Sequence, residues 1–544
     1  MSFIPSKLTE RPEIMSFRYV FSTYISFLIF FFFGYYQNTV SIIHKAITSR
    51  KRPPIAPITS GFERFYHDRI YARVTDCFNN TIRSAPSTWI RVAHRVSDPL
   101  KQHWRVTEGS TACLNFGSYN YLGFAAKDTN AANERRVLAS MSQLGISMGQ
   151  PVRSSMHDDL AKAVATFMRK PAAMVCAMGF ATNSTSIPAL VGPDGLIISD
   201  SLNHASIVVG GRASVGHKKV FRHDDMAHLE KTVRNAILNG MPRTHNHWSK
   251  IVIIVEGIYS MEGTICNLPE IVRIAKQYGC YLYVDEAHSI GALGRHGGGV
   301  CDYFDDKASL LRHARALLEI HPAYKVWSEP ELWADSLFDP DFHDLDILKA
   351  DHERYGMTLK TLDETMGPFS FFNAVDILMG TFTKSFSAVG GYIAADHATI
   401  DYLHRNSHGA MASEPLSPAC IQQIMGVLTS LLEHDDIATR QIRQLARNTR
   451  WFRTELVSRG FHIMGSDDSP VVPVLLYHPQ KLLAFHRLCF EAGIAVVVVA
   501  YPACSLVAGR VRFCLSGGHT DEDMRWAMRR LDEIGDILKM KYGK

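Results

Sequence analysis

The chain has 544 residues, 46% apolar and 20% charged, enough to bury a large core and to form more than one domain. Its 58 basic and 53 acidic side chains leave a formal charge of only +5 with no long basic run, which argues against a nucleic-acid partner. The ten cysteines are scattered and contain no C-x-x-C pair, so neither a disulfide framework nor a metal site is expected.

In chain order, the first predicted element is FRYVFSTYISFLIFFFFGYYQNTVSII, from Phe17 to Ile43, with Arg18 as its only charge. It is long enough to cross a bilayer, has Tyr35 and Tyr36 at one end of its apolar centre, and is followed by Lys45, Arg50, Lys51 and Arg52. No small-residue cleavage pattern follows Gly34, so a retained anchor is predicted rather than a signal peptide. Its orientation is weakly specified, because Lys7, Arg11 and Arg18 lie on the other flank. RPPIAPITSG (residues 52–61) reads as an extended linker. The predicted division is an anchor with linker over 1–60, an N-terminal arm over 61–110, a large domain over 111–400 and a small C-terminal domain over 401–544.

From about residue 110, short apolar runs alternate with amphipathic stretches, the pattern of a mostly parallel sheet covered on both faces. Predicted strands are AAMVCAM (172–178), GLIIS (195–199), KIVIIVE (250–256), CYLYVDE (280–286) and VDILMGT (375–381). Residues 305–372 separate two of these strands by far more than a compact connection needs and read as an insertion. Its Asp339, Asp341, Asp344 and Asp346 lack the glycine and terminal glutamate of a calcium loop and read as a solvated acidic segment. Further on, PVVPVLLY (470–477) and IAVVVVAYP (494–502) read as strands. Thr520 and Asp523 stand in capping-box spacing before a final helix.

In open parallel sheets, ligands bind beyond the carboxyl ends of the strands. The turns there are GFATNS, DSLNHAS, GIYSMEG and EAHSIG, and the last strand of the series runs into GTFTKS. A lysine can form a Schiff base with an aldehyde cofactor, and pyridoxal-phosphate sites pair it with an acid on the pyridinium nitrogen. Lys384 and Asp285 suit those two tasks. Singly, a strand-end Asp is most often a cap or turn former and a lone Lys a surface group. Together, at the ends of separate strands, they are far more specific.

The motifs DSLNHASI, VEGIYSMEGTICNLPEI, VDEAHSIGALG, GTFTKSF, GGYIAAD, AVVVVAYPA and RVRFCLSGGHT resemble those of the α-oxoamine synthase family, in particular its lysine-bearing long-chain-base subunits. The resemblance implies an α/β, fold-type I pyridoxal-phosphate transferase with an aspartate aminotransferase-like large domain and a smaller C-terminal α/β domain. It implies that Lys384 carries pyridoxal 5'-phosphate, that Asp285 contacts the ring nitrogen, that His204 stacks on the ring and that His288 bonds the ring oxygen. Thr381 and Thr383, with the backbone N–H groups of Gly179 and Phe180, would take the phosphate. Arg512 would hold the substrate carboxylate, with Arg510 on the same strand face as a competitor. The implied reaction is decarboxylating condensation of L-serine with palmitoyl-CoA. The implied setting is the endoplasmic reticulum membrane, single-pass with the catalytic domain in the cytosol, beside a related partner subunit that lacks the lysine. Condensation of glycine or alanine with another acyl-CoA, and an inactive regulatory or structural subunit, remain alternatives.

The sequence departs from the family in three places. Ser387 stands where the family has glycine, the loop around QPVRSSMH is short, and the 305–372 insertion is added.

Overall fold

A computed structural model describes residues 17–47, 65, 77, 80–97, 104–126, 129–147, 153–320, 323–333, 339, 342–367, 369–501 and 503–542. The 52–61 linker, Asp341 and the first part of the short loop before Arg153 lie outside the described residues. The strands are β1 (Trp89–Ser97), β2 (Trp104–Asn115), β3 (Ala172–Cys176), β4 (Gly195–Asp200), β5 (His217–Phe221), β6 (Lys250–Glu256), β7 (Tyr281–Asp285), β8 (Ile377–Thr381), β9 (Gly391–Ala395), β10 (Val471–Tyr477), β11 (Ile494–Ala495), β12 (Val497–Val499) and β13 (Gly509–Cys514).

Seven strands form the main sheet in the order β3-β9-β8-β7-β6-β4-β5. Strands β5, β4, β6, β7 and β8 are parallel, and β9 alone runs against its neighbours. The near-continuous apolar run of β6 follows from this position. Ile251, Ile253 and Val255 face one layer of helices, while Val252 and Ile254 face the other. The central strands β4, β6, β7 and β8 therefore bury apolar surface along most of their length, and polar residues collect at their carboxyl edge.

The C-terminal part has its own antiparallel sheet, β10-β13-β12, packed on helices that include Asp436–Ser458 and Asp521–Ile537. Thr520 caps the last of these with the expected capping box to Asp523. The run predicted as one strand over 494–502 is instead two short strands in different sheets. Its first residues, β11, extend the β1–β2 hairpin, and the next, β12, join β13. The pairing changes at Val496, between the residues bonded to β2 and those bonded to β13. Strand β11 thereby ties the N-terminal hairpin to the C-terminal part.

The predicted apolar segment is a 31-residue helix, Phe17–Ile47, and its Phe17–Val40 stretch is long and apolar enough to cross a bilayer. Phe21, Leu28, Phe32 and Tyr36 are exposed on it. The opposite face rests on the C-terminal part, where Tyr19 stacks on Tyr477 with centroids 5.3 Å apart. Ser26 Oγ lies 3.2 Å from His478 Nδ1 on the same face.

The insertion is helical where described. A helix at Val300–Ile320 leads through Ala323–Ser328 to a second long helix, Leu345–Met366. Leu310, Ala314, Val326, Trp327, Trp333 and Leu348 give it a core of its own. Buried Lys307 bonds Asp351 of the insertion at 2.5 Å and lies 3.6 Å from Asp468 of the C-terminal part. Strands β7 and β8 remain direct neighbours, with Asp285 opposite Met379. The excursion thus leaves the edge carrying Asp285 and Lys384 intact. Within the acidic segment, Asp339 pairs with Arg443 at 3.1 Å and Asp344 caps the Leu345–Met366 helix.

Candidate active site

The carboxyl edge of the main sheet brings the turns after β3, β4, β6, β7 and β8 to one place. The turn after β7 supplies Asp285 and His288, both buried. Asp285 Oδ1 accepts from Ala287 N–H at 2.8 Å, and Oδ2 accepts from Asn183 Nδ2 at 2.7 Å. Burial, followed by the nearby Lys384 and Arg512 charges, pushes the His288 pKa well below its ordinary value, so the ring is neutral at pH 7. Its Nδ1 lies 2.9 Å from the Tyr121 hydroxyl.

The turn after β8 supplies Thr381, Thr383 and Lys384. Lys384 Nζ lies 3.5 Å from Thr381 Oγ1 and 5.7 Å from the Tyr119 ring centroid. It forms no ion pair with Asp285. Burial is the main cause that brings the amine down to about 8, against the opposing pull of Asp285 and Glu256. Such an amine is more readily neutral, hence nucleophilic, than an exposed lysine.

The Gly179–Leu190 helix begins directly after β3, and its first N–H groups have no acceptor within the helix. A Cβ on Gly179 would lie 2.8 Å from Thr381 Cγ2, so only glycine lets this helix start come up against the threonine. Thr383 Oγ1 donates to Thr381 Oγ1 at 3.3 Å. Unpaired N–H groups, a positive dipole end and two hydroxyls make an anion cradle.

His204 caps the Ala205–Ala213 helix and is exposed at the open side of the site. Its ring meets that of Phe180 edge to face, with centroids 6.0 Å apart. Its backbone N–H donates to Glu256 at the end of β6, whose carboxyl is raised well above the usual range by burial and then by Asp285.

From β13, Arg512 reaches the same site and lies 4.6 Å over the Tyr119 ring. Arg510 is already engaged, with Nη1 3.5 Å from Glu262 Oε1 and 2.8 Å from the Met261 carbonyl. Arg512 has no ion pair among the described residues, and its buried Nε has no hydrogen-bond partner. This distinguishes two arginines that the strand pattern alone left in competition.

All nine predicted residues or N–H positions therefore border one region. The residues that sequence reasoning passed over are Tyr119, Tyr121, Asn183, Ser206 and Glu256, of which the last three lie inside quoted motifs. Each is a common residue type whose role depends on its partners, so only their neighbours in space identify them.

Ser387, three residues after Lys384, has φ 52°, in the left-handed region that favours glycine. Its Oγ donates to Asn120 Oδ1 at 3.2 Å, an interaction glycine lacks. The hydroxyl offsets the backbone strain. Ser387→Ala keeps the strain and loses the bond, and is expected to destabilise the protein by about 1 kcal/mol. Ser387→Gly exchanges one for the other and should be nearly neutral. Denaturant titration of both variants checks the order.

The residues fit pyridoxal phosphate. A buried acid and a buried amine face one site without pairing, a glycine-bounded cradle lies beside them, and an arginine keeps an unsatisfied donor. The aminotransferase class I and II family profile matches residues 111–313 and 357–531, and the unmatched stretch falls within the helical insertion. The chain is 42% identical over 496 residues to serine palmitoyltransferase 2 of Dictyostelium discoideum, covering 90% of this chain and 88% of that protein. It is 39% identical over 528 residues to long chain base biosynthesis protein 2b of Arabidopsis thaliana, covering 96% and 94%. Among solved structures, the Sphingomonas wittichii serine palmitoyltransferase matches with TM-score 0.65 at 21% identity, over 89% of this chain and 99% of that one. An S. paucimobilis serine palmitoyltransferase with bound PLP and myriocin matches with TM-score 0.66 at 19% identity, over 88% and 98%. At these identities the structural matches speak for the fold.

Proposed function

Since the chain belongs to the aminotransferase class I and II family, among its serine palmitoyltransferase 2 members, we propose that it is the catalytic subunit of a serine palmitoyltransferase. It condenses L-serine with palmitoyl-CoA to give 3-ketodihydrosphingosine, CoA and CO2. The observation that carries this reading is the Lys384 amine, bonded only to Thr381 Oγ1 among the described residues and in no ion pair, facing the same site as Asp285, with Arg512 beside them holding an unused donor.

Asp285 would hold the ring nitrogen of pyridoxal phosphate, His204 its face and His288 its ring oxygen. Thr381, Thr383 and the N–H groups of Gly179 and Phe180 would hold the phosphate. When bound, the cofactor supplies an electron sink for the bond broken at the substrate Cα. Arg512 binds and orients the serine carboxylate through its planar fork. Lys384 would hold the cofactor aldehyde and, as a free amine whose pKa is brought down to about 8, would take the Cα proton, a value matched to that task near neutral pH.

The chain works in a heterodimer with a related subunit lacking the lysine. Supporting this, Met178, Phe180, Leu202 and Val389 are exposed apolar side chains around the open side of the site. The Phe17–Ile47 helix anchors it to the endoplasmic reticulum membrane in a single pass, with the catalytic part in the cytosol beside its amphiphilic acyl donor. The unit boundaries near residues 60, 110 and 400 belong to the same proposal.

The test supplies labelled L-serine and palmitoyl-CoA to membranes containing this chain and its partner. A labelled long-chain ketobase is expected. Turnover of glycine or alanine in place of serine would reassign the substrate, and a complex that binds no cofactor would sink the enzyme reading.

A further inference from the structure

Asn183 is a buried amide on the Gly179–Leu190 helix, and both ends of its side chain are engaged. The Tyr283 hydroxyl donates to its Oδ1 at 2.7 Å. Its Nδ2 donates to Asp285 Oδ2 at 2.7 Å and to Ser206 Oγ at 2.9 Å. Turning the amide over would set Oδ1 against an oxygen of Asp285, acceptor against acceptor. The direction of every bond in the chain follows. Ser206 Oγ receives from Asn183, so its own O–H is left for His204 Nδ1 at 2.8 Å. The Ser206 backbone N–H donates to the same nitrogen at 3.2 Å. With Nδ1 accepting twice, the neutral ring carries its proton on Nε2.

We propose that Tyr283, Asn183 and Ser206 are positioning residues that hold the Asp285 carboxylate and fix His204 as a neutral imidazole bearing an Nε2–H donor. One amide thereby orders two groups that come from different turns, after β4 and after β7. The inference rests on the functional reading above, because a bound ring is what gives both groups a common task. The titratable groups facing His204 are Asp285 from β7, Glu256 from β6 and Lys384 from the turn after β8, while the adjoining helix contributes only the Phe180 edge. Partial desolvation of its ring lowers the His204 pKa, Asp285 opposes that and Lys384 adds to it, which is consistent with a neutral ring.

The test uses the full-length chain with its partner subunit, labelled with 15N in the histidine rings, and assigns His204 by the signal lost in His204→Gln. Nitrogen chemical shifts distinguish the two neutral tautomers without any turnover. The wild type is expected to show the Nε2–H form. Ser206→Ala removes a donor that stabilises the neutral ring, so the tautomer should become mixed and the protonation midpoint rise by about one pH unit. Ser206→Thr keeps the hydroxyl and should keep both properties. Tyr283→Phe, a milder change at the far end of the chain, should move them in the same direction by less. Wild-type tautomer and midpoint in both Ser206→Ala and Tyr283→Phe would overturn the proposal. Failure of the underlying functional reading shows separately, as a wild-type complex without the cofactor's visible absorption band.

Discussion

Replacing Lys384 by methionine is expected to abolish the cofactor's visible absorption band and to lower turnover by about 10³-fold or more, because one amine both attaches the cofactor and moves the proton. The same substitution should make the cofactor-free chain more stable at pH 7. Lys384 has its pKa depressed from 10.5 to about 8, first by burial. Below pH 8 the amine is protonated in both the folded and the unfolded chain, and the folded state bears the full cost of burying the charge. Between about 8 and 10.5 the folded state holds fewer protons than the unfolded one, so stability rises with pH through that window. An apolar side chain of similar length removes a cost on the order of 2–3 kcal/mol at pH 7, and the difference from wild type should fade toward pH 10.5. Thermal unfolding of both chains across this range checks it. A variant that keeps the absorption band would remove Lys384 from its assigned place.

What the sequence made legible was the part governed by local pattern. Strands β3, β4, β6, β7, β8 and β10 are apolar runs ending in polar turns, and each was predicted within a few residues. Strands β1, β2 and β5 went unpredicted for a physical reason: their exposed faces interleave charged residues, as in Trp89–Ser97 (WIRVAHRVS) and His217–Phe221 (HKKVF), which hides the apolar signal. The sheet change inside AVVVVAYP is equally hidden, since four successive valines carry no mark of where one pairing ends. In the site, residues with distinctive chemistry were readable at their strand ends. The choice between Arg510 and Arg512 was not, because it depends on Glu262, some 250 residues away in sequence, which occupies one of them.

The helical insertion shows the same limit from another side. It is far longer than a compact crossover needs, as the sequence predicts, and β7 and β8 pair directly around it. A crossover between parallel neighbours constrains only where its ends enter and leave, and the loop-closure cost grows slowly with length. Glu286 fixes one end. Its buried carboxylate accepts from the Val300 and Cys301 N–H groups at the start of the Val300–Ile320 helix, at 2.9 and 3.4 Å. Burial raises that carboxyl to about 7, against the opposing Ser289 and backbone hydrogen bonds. The residue next to Asp285 therefore anchors the insertion while Asp285 itself faces the site.

Asp285→Asn tests the ring-nitrogen contact separately from the attachment and proton transfer that Lys384→Met removes. With Lys384 intact, the absorption band should still form, but turnover should fall by about 10²- to 10³-fold, the usual cost of removing one preorganised electrostatic contact to developing charge. Cofactor affinity should fall as well, because a protonated ring nitrogen would lose its buried counter-charge. The local hydrogen bonds make the substitution harsher than its shape implies. Both carboxylate oxygens of Asp285 accept, from Ala287 N–H and from Asn183 Nδ2. An amide in that place has one acceptor oxygen, so one of the two donors meets an NH2 group and is left buried and unpaired, at about 1–3 kcal/mol. That cost propagates to Asn183 and through Ser206 to His204, so the variant should also disturb the His204 tautomer, whereas Lys384→Met should not. If Asp285→Asn loses less than about tenfold in turnover, the ring-nitrogen contact must be made elsewhere.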